Sequence, residues 1–245
     1  MNKDKLIKAI EIFKYYYSDS KDFYNYDERG WKVELSIRFK QLFSKKNFSN
    51  TDFVNQLVEL INDSKLKQSI ILLSGSNYHH IQNFISLLKN EIDRDFFSRI
   101  FDKLIFAQEP IKDRINSFKE IMDAYYKRYE IKGTMQLNLI SQFLGLTFPN
   151  EHYVYKSTEF YNAVRHFEYD KNNKDNSTGG IYEYFLTFLQ EIKKVMNESG
   201  LNEVDFIDIQ TFVFREDWYS PTDFEKEKKE FEDKTEEAYS TSIKN

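Results

Sequence analysis

Residues 133 to 167 read GTMQLNLISQFLGLTFPNEHYVYKSTEFYNAVRHF, two helix-like runs joined through one proline-marked aromatic connector. After Gly133 and Thr134, Leu137, Ile140, Phe143 and Leu144 recur at helical spacing, so the first run predicts a helix with one face turned to a core. Gly145 and Pro149 read as its stop signals. The connector carries Tyr153 and Tyr155. Ser157 then reads as the N-cap of a second helix, with Phe160 at the N3 position where a full capping box would have Glu.

The same periodicity extends outward in both directions. Leu6, Ile7, Ile10, Phe13, Tyr16 and Tyr17 predict a helix over 3–17, and an acidic, tyrosine-rich loop at 18–27 separates it from a second helix over 31–43. Asn50 reads as the N-cap of TDFVNQLVELIND, whose inward positions are Phe53, Leu57 and Leu60 or Ile61. Further helices are predicted over 78–89, 94–106 and 110–129, the last with proline near its first turn. The run QSIILLSG at 68–75 fits either a buried strand or a helix end, and the lack of a partner strand assigns it to helix. Residues 170–180, DKNNKDNSTGG, read as a polar loop, followed by an aromatic-rich helix over 181–196 that Gly200 stops, and by a last apolar segment at 204–214. From 221 onward the composition turns to dense mixed charge, the pattern of a solvated tail or linker. The fold expected is mainly α, an irregular multi-helix bundle with room for a minor β element. Its expected organisation is an N-terminal helical region at 1–130, a second helical region at 131–220 and a charged tail at 221–245.

Composition supports this class. Only 7 glycines and 3 prolines occur in 245 residues, too few for the many tight turns of an all-β fold. The 40% hydrophobic content suffices for a core, and 23 Phe and 17 Tyr against 2 Trp make that core aromatic. Buried tyrosines will then need partners for their hydroxyls. The net charge of −5 gives no global cationic field for phosphate backbones, which leaves only local basic patches for such contacts. With no cysteine there is no disulfide framework, thiol nucleophile or cysteine zinc site, as expected for a reducing compartment. No apolar run approaches the ~20 residues of a membrane span, and the first residues lack the apolar stretch of a secretion signal. A cytoplasmic protein without membrane contact is expected.

Catalytic motifs are missing from the chain. The glycines of SGSN and STGG lack the Gly-Lys-Ser/Thr ending of a phosphate-binding loop. Ser74 in LLSGS does not complete a G-x-S-x-G elbow. His79 and His80 would point about 100° apart on a helix, and neither has a carboxylate at i+4. His166 lies beside Arg165 and Glu168 at a helix end, a position that suits backbone carbonyls or solvent. The pairs Glu91/Asp93, Asp93/Asp95 and Asp205/Asp208 read as solvated faces of an acid-rich chain. No cofactor and no enzymatic activity are expected of this chain.

The connector and its helix carry the best contact candidates: Tyr153, Tyr155, Lys156, Thr158, Tyr161 and Arg165. They combine rings able to stack on bases, cations for phosphates and a helix N-terminus suited to anions. Tyrosines beside a proline turn equally suit the packing of a helix junction, with their hydroxyls bonded to backbone.

Two segments also carry a family likeness. LISQFLGLTFPNEHYVYKSTEFYNAVRHF resembles the leucine-rich helix, Pro, Tyr and short helix found upstream of the AAA+ motor in McrB-type restriction ATPases. VDFIDIQTFVF, at 204–214, is similar to the Asp-Ile-Gln-Ser-Phe element that often follows it, and the order is the same. The likeness covers roughly 133–218, and the Pro-Tyr element has a parallel in helical DNA-glycosylase-like domains. It implies an N-terminal recognition or regulatory module of a defence ATPase, able to bind DNA and to work with an AAA+ motor in the same polypeptide and a nuclease subunit. Pro149, Tyr153, Tyr155 and Lys156 carry over as structural or contact residues. The alternatives are a nonenzymatic helical scaffold for protein partners and a nuclease or glycosylase-like enzyme.

Overall fold

The computed structural model describes residues 1–19, 29–44, 52–63, 78–90, 93–170, 173–214, 226 and 229. Ten helices fall in these residues: α1 Lys3–Asp19, α2 Trp31–Leu42, α3 Phe53–Asn62, α4 Tyr78–Leu88, α5 Arg94–Phe106, α6 Ile111–Arg128, α7 Leu137–Thr147, α8 Ser157–His166, α9 Thr178–Glu198 and α10 Phe206–Phe214. Among the described residues there is no strand, so the bundle is helical throughout and the minor β element is not found there. The 68–75 run, the Asn50 cap and almost all of the 221–245 tail lie outside the described residues.

Local chemistry accounts for most helix ends. Asp93 caps α5 by accepting from the Phe96 amide at 2.9 Å, and Ser177 caps α9 by accepting from Gly180 at 3.1 Å. Helix α9 therefore starts three residues ahead of the expected 181, because Ser177 supplies the cap from within the polar loop. Its far end closes in a Schellman arrangement: Gly200, at φ +93°, donates to Asn197 and Leu201 donates to Met196. Helices α6 and α8 close in the same way with Glu130 and Glu168 in the left-handed position, at φ 53° and 50°.

Two expectations about the 133–167 stretch are corrected. Gly145 does not stop α7, which runs on to Thr147 and is capped by the Phe148 amide donating to Leu144 at 2.8 Å. A β-carbon at Gly145 would lie 2.5 Å from the Tyr153 carbonyl carbon, so this glycine lets the connector backbone lie against the helix. Ser157 is the first residue of α8 rather than its cap. The N-cap is Lys156, which makes no side-chain capping bond.

One buried apolar cluster runs from Leu6 in α1 to Val213 in α10 and crosses residue 130 without a break. Its centre is aromatic. Phe101 of α5 meets Phe118 of α6 at 5.0 Å, Phe143 of α7 at 5.1 Å, Phe53 of α3 at 5.5 Å and Phe43 at the end of α2 at 5.7 Å. Helices α6 and α9 pack along one another, α2 lies on α7, and α8 and α10 pair beside α9. Buried polar contacts set these registers: Ser36 donates to the Leu146 carbonyl, and the Lys32 ammonium donates to Thr211 Oγ1, each at 2.7 Å.

Candidate functional site

The connector leaves α7 at Phe148 and is tied down at once, with the His152 amide donating to Phe148 at 2.8 Å and the Phe206 amide of α10 donating to Pro149 at 2.7 Å. Tyr153 then enters the core. Its ring stacks on Tyr182 at 4.5 Å with planes 8° apart, and its hydroxyl donates to the Tyr182 carbonyl at 2.8 Å. The Tyr182 hydroxyl in turn donates to the Tyr153 carbonyl at 3.3 Å. Tyr155 packs between Phe160 and Phe185, and its amide donates to Ser141 Oγ at 2.8 Å. Burial holds all three phenols above their ordinary range, so they stay neutral.

The six contact candidates therefore divide. Tyr153 and Tyr155 are 1% and 6% exposed and present no open face to a base. Thr158, Tyr161 and Arg165 recur at i, i+3 and i+7 and stand on the outer face of α8, with Tyr161 46% exposed. Lys156 sits at the entry to that helix, its ammonium 4.7 Å from the Phe214 ring centroid and 3.7 Å from Glu159. The Arg165 guanidinium donates to its neighbour Asn162 at 2.5 Å. The structure brings the cations and Tyr161 to one helix, while the connector tyrosines are buried beneath it.

Two buried polar nodes flank this helix pair. His152 is 8% exposed and packs edge-on against Phe148; burial, then the Arg114 guanidinium, lowers its pKa to about 4. Its Nδ1 is buried without a hydrogen-bond partner among the described residues. At the start of α10, Asp205 accepts from the amides of Ile207 and Asp208, while the Asp208 carboxylate accepts from the Asp205 amide at 3.0 Å. This is a reciprocal capping box with aspartate in both places. Arg29 bridges the two acids, at 2.8 Å to Asp208 and 3.0 Å to Asp205. Burial, then the Asp208 carboxylate, raises Asp205 to about 6. The pair read as a solvated face is thus a buried structural latch, with Asp208 fully covered. The D-x-x-D spacing ahead of an apolar run was the signal that could have found it. Arg114, which joins the His152 node, carries no comparable signal, because an arginine inside a long charged helix looks like any surface position.

The remaining histidines stay apart from these nodes: His79 and His80 are in the first turn of α4, and His166 ends α8. Among the described residues, no group of three His, Asp or Glu side chains is placed to hold a metal ion. No described helix is long and apolar enough to cross a membrane. A cleft of about 430 Å³ opens beside the connector, lined by Phe106, Phe148, Pro149, Lys40 and Glu151 among others. No family model matches this chain, and neither does any curated protein or solved structure.

Proposed function

We propose that this chain is a nonenzymatic recognition module, the helical N-terminal part of a McrB-like restriction ATPase, and that it contacts DNA through the outer face of α8. The observation that supports the reading is the placement of Thr158, Tyr161 and Arg165 on one exposed helix face, with the Lys156 ammonium at its start. Tyr161 offers a partly open ring, Arg165 has no acidic partner among the described residues, and the first turn of α8 has no side-chain cap competing for its amides. The order of the α7–connector–α8 and α10 segments, which resembles the element upstream of McrB-type motors, adds the context of an AAA+ motor and a nuclease subunit.

The second reading is a scaffold for protein partners. The net charge of −5 and the burial of Tyr153 and Tyr155 favour it. Titration of labelled single- and double-stranded DNA at several salt concentrations separates the two. On the DNA reading, Lys156→Ala and Arg165→Ala each weaken binding and lower the salt slope by about one phosphate contact. Variants that melt like the parent and bind DNA as it does would remove α8 from the contact surface. A parent that binds neither form would leave the scaffold.

A further inference from the structure

Between α5 and α6 lies a groove of about 170 Å³. Its floor is apolar, formed by Ile100, Leu104, Phe118 and Ile121. The charged side chains that line it are all cationic: Arg99, Lys103 and Arg114. Helical spacing explains the arrangement, since Arg99 and Lys103 are i, i+4 on α5 and face Arg114 across the groove.

These cations are poorly compensated. Among the described residues Lys103 has one ion-pair partner, Glu109 at 3.7 Å. Arg114 gives one amino group to the Leu104 and Ile105 carbonyls at the end of α5, at 2.8 and 3.1 Å. Its Nε is buried with no hydrogen-bond partner among the described residues. Among the described residues neither Arg99 nor Arg114 forms an ion pair. Glu109 and Glu151 attract Arg114 without forming an ion pair with it among the described residues, so its guanidinium loses water without a bonded carboxylate, and an incoming anion would relieve that cost.

A row of rings and cations continues from the groove along α5 and α6. Arg99 lies over Phe96 at 5.9 Å, Phe96 packs on Tyr125, Tyr125 stacks on Tyr129 at 6.2 Å, and Arg128 covers Tyr129 at 5.6 Å. The groove thus sets an apolar floor between cationic walls. We infer that the α5–α6 groove docks an acidic, amphipathic peptide segment of a partner protein, which seats an aliphatic side chain on the floor and pairs its carboxylates with Arg99, Lys103 and Arg114. This surface is separate from α8 and does not depend on the DNA reading.

The test uses a fluorescent helix-forming peptide with Leu at i, i+3 and i+4 and Glu elsewhere, followed by anisotropy against the whole chain. Binding is expected for the Glu peptide and not for the same peptide with Gln in place of Glu. Arg99→Glu combined with Lys103→Glu should weaken the Glu peptide about tenfold or more and admit a Leu/Lys peptide instead, a gain that an unfolded variant could not show. Ser117→Phe, which fills the groove without changing its charge, should block both peptides. The proposal is overturned if the parent does not bind the Glu peptide, if the Gln peptide binds equally well, or if the charge-reversed variant binds as the parent does. Capture of oligothymidine, lost on the charge reversal, in place of the Glu peptide would make the groove a nucleic-acid site and overturn it too.

Discussion

Gly145 sits in the last turn of α7, where helix propensity alone favours alanine by up to about 1 kcal/mol. The Tyr153 backbone lies so close that a β-carbon would come within 2.7 Å of its carbonyl oxygen. Gly145→Ala should therefore destabilise the fold by roughly 1–3 kcal/mol in urea denaturation, and a neutral or stabilised variant would show that the connector can move aside. Two titrating residues set opposite pH dependences. His152 falls from an ordinary 6.5 to about 4 in the folded chain, so between these values the unfolded state binds the extra proton and stability drops with acid. Asp205 rises from 3.8 to about 6, so over that window the folded state holds the extra proton and stability is lost as pH rises. The slopes oppose each other between about pH 4 and 6. Asp205→Asn, which keeps a capping side chain, should unmask the histidine and make melting temperature fall more steeply from pH 6.5 to 4 than in the parent. Parallel profiles would mean that Asp205 does not titrate in this range.

At the scale of the element, helix ends decide more than helix interiors. Three helices close in Schellman turns, yet only α9 has glycine in the left-handed position, and α6 places the exposed Glu130 there. An L-residue in that conformation costs about 1–2 kcal/mol, part of which glycine gives back as unfolded-state entropy. Glu130→Gly should thus raise stability by about 0.5–1 kcal/mol, and a loss would point to a role for the carboxylate. Glu168 is a poorer target, because it pairs with Lys5 at 2.6 Å and accepts from Asn2 at 3.0 Å, tying α8 to the start of α1. Most helix spans were legible in the periodicity: α5 is found where 94–106 was expected, and α4 and α6 differ only by a residue at their ends. The misread ends at Gly145, Ser157 and Ser177 share one cause. A residue type that suits a cap or a stop also suits a close approach, a first turn or a loop, and only the neighbouring backbone distinguishes them.

For the whole molecule, Phe101 is the common contact of rings from α2, α3, α4, α5, α6 and α7, with Phe84 at 6.3 Å and Phe97 at 6.1 Å completing the set. It is fully buried, so Phe101→Ala should cost about 3–5 kcal/mol and lower the single unfolding transition of all the helices together. Ile7→Ala, at a position 43% exposed, should change stability by less than about 0.5 kcal/mol. Two transitions in the Phe101 variant would show that the aromatic centre does not join the helices into one cooperative unit.

The helical class, most helix spans and the aromatic core were determined by the sequence alone, because amphipathic spacing and scarce turn residues act locally. The fate of particular side chains was decided only by tertiary structure. Tyr153 and Tyr155 looked as suited to a ligand as to a core until α9 brought Tyr182 and Phe185 against them. Asp205 and Asp208 looked solvated until Arg29, distant in sequence, bridged them. Arg99 and Arg114 stand out by no motif, and it is the packing of α5 on α6 that sets them around one apolar groove. In each case the deciding partner lies in another helix, and helical periodicity records which face of a helix is buried but not what is buried against it.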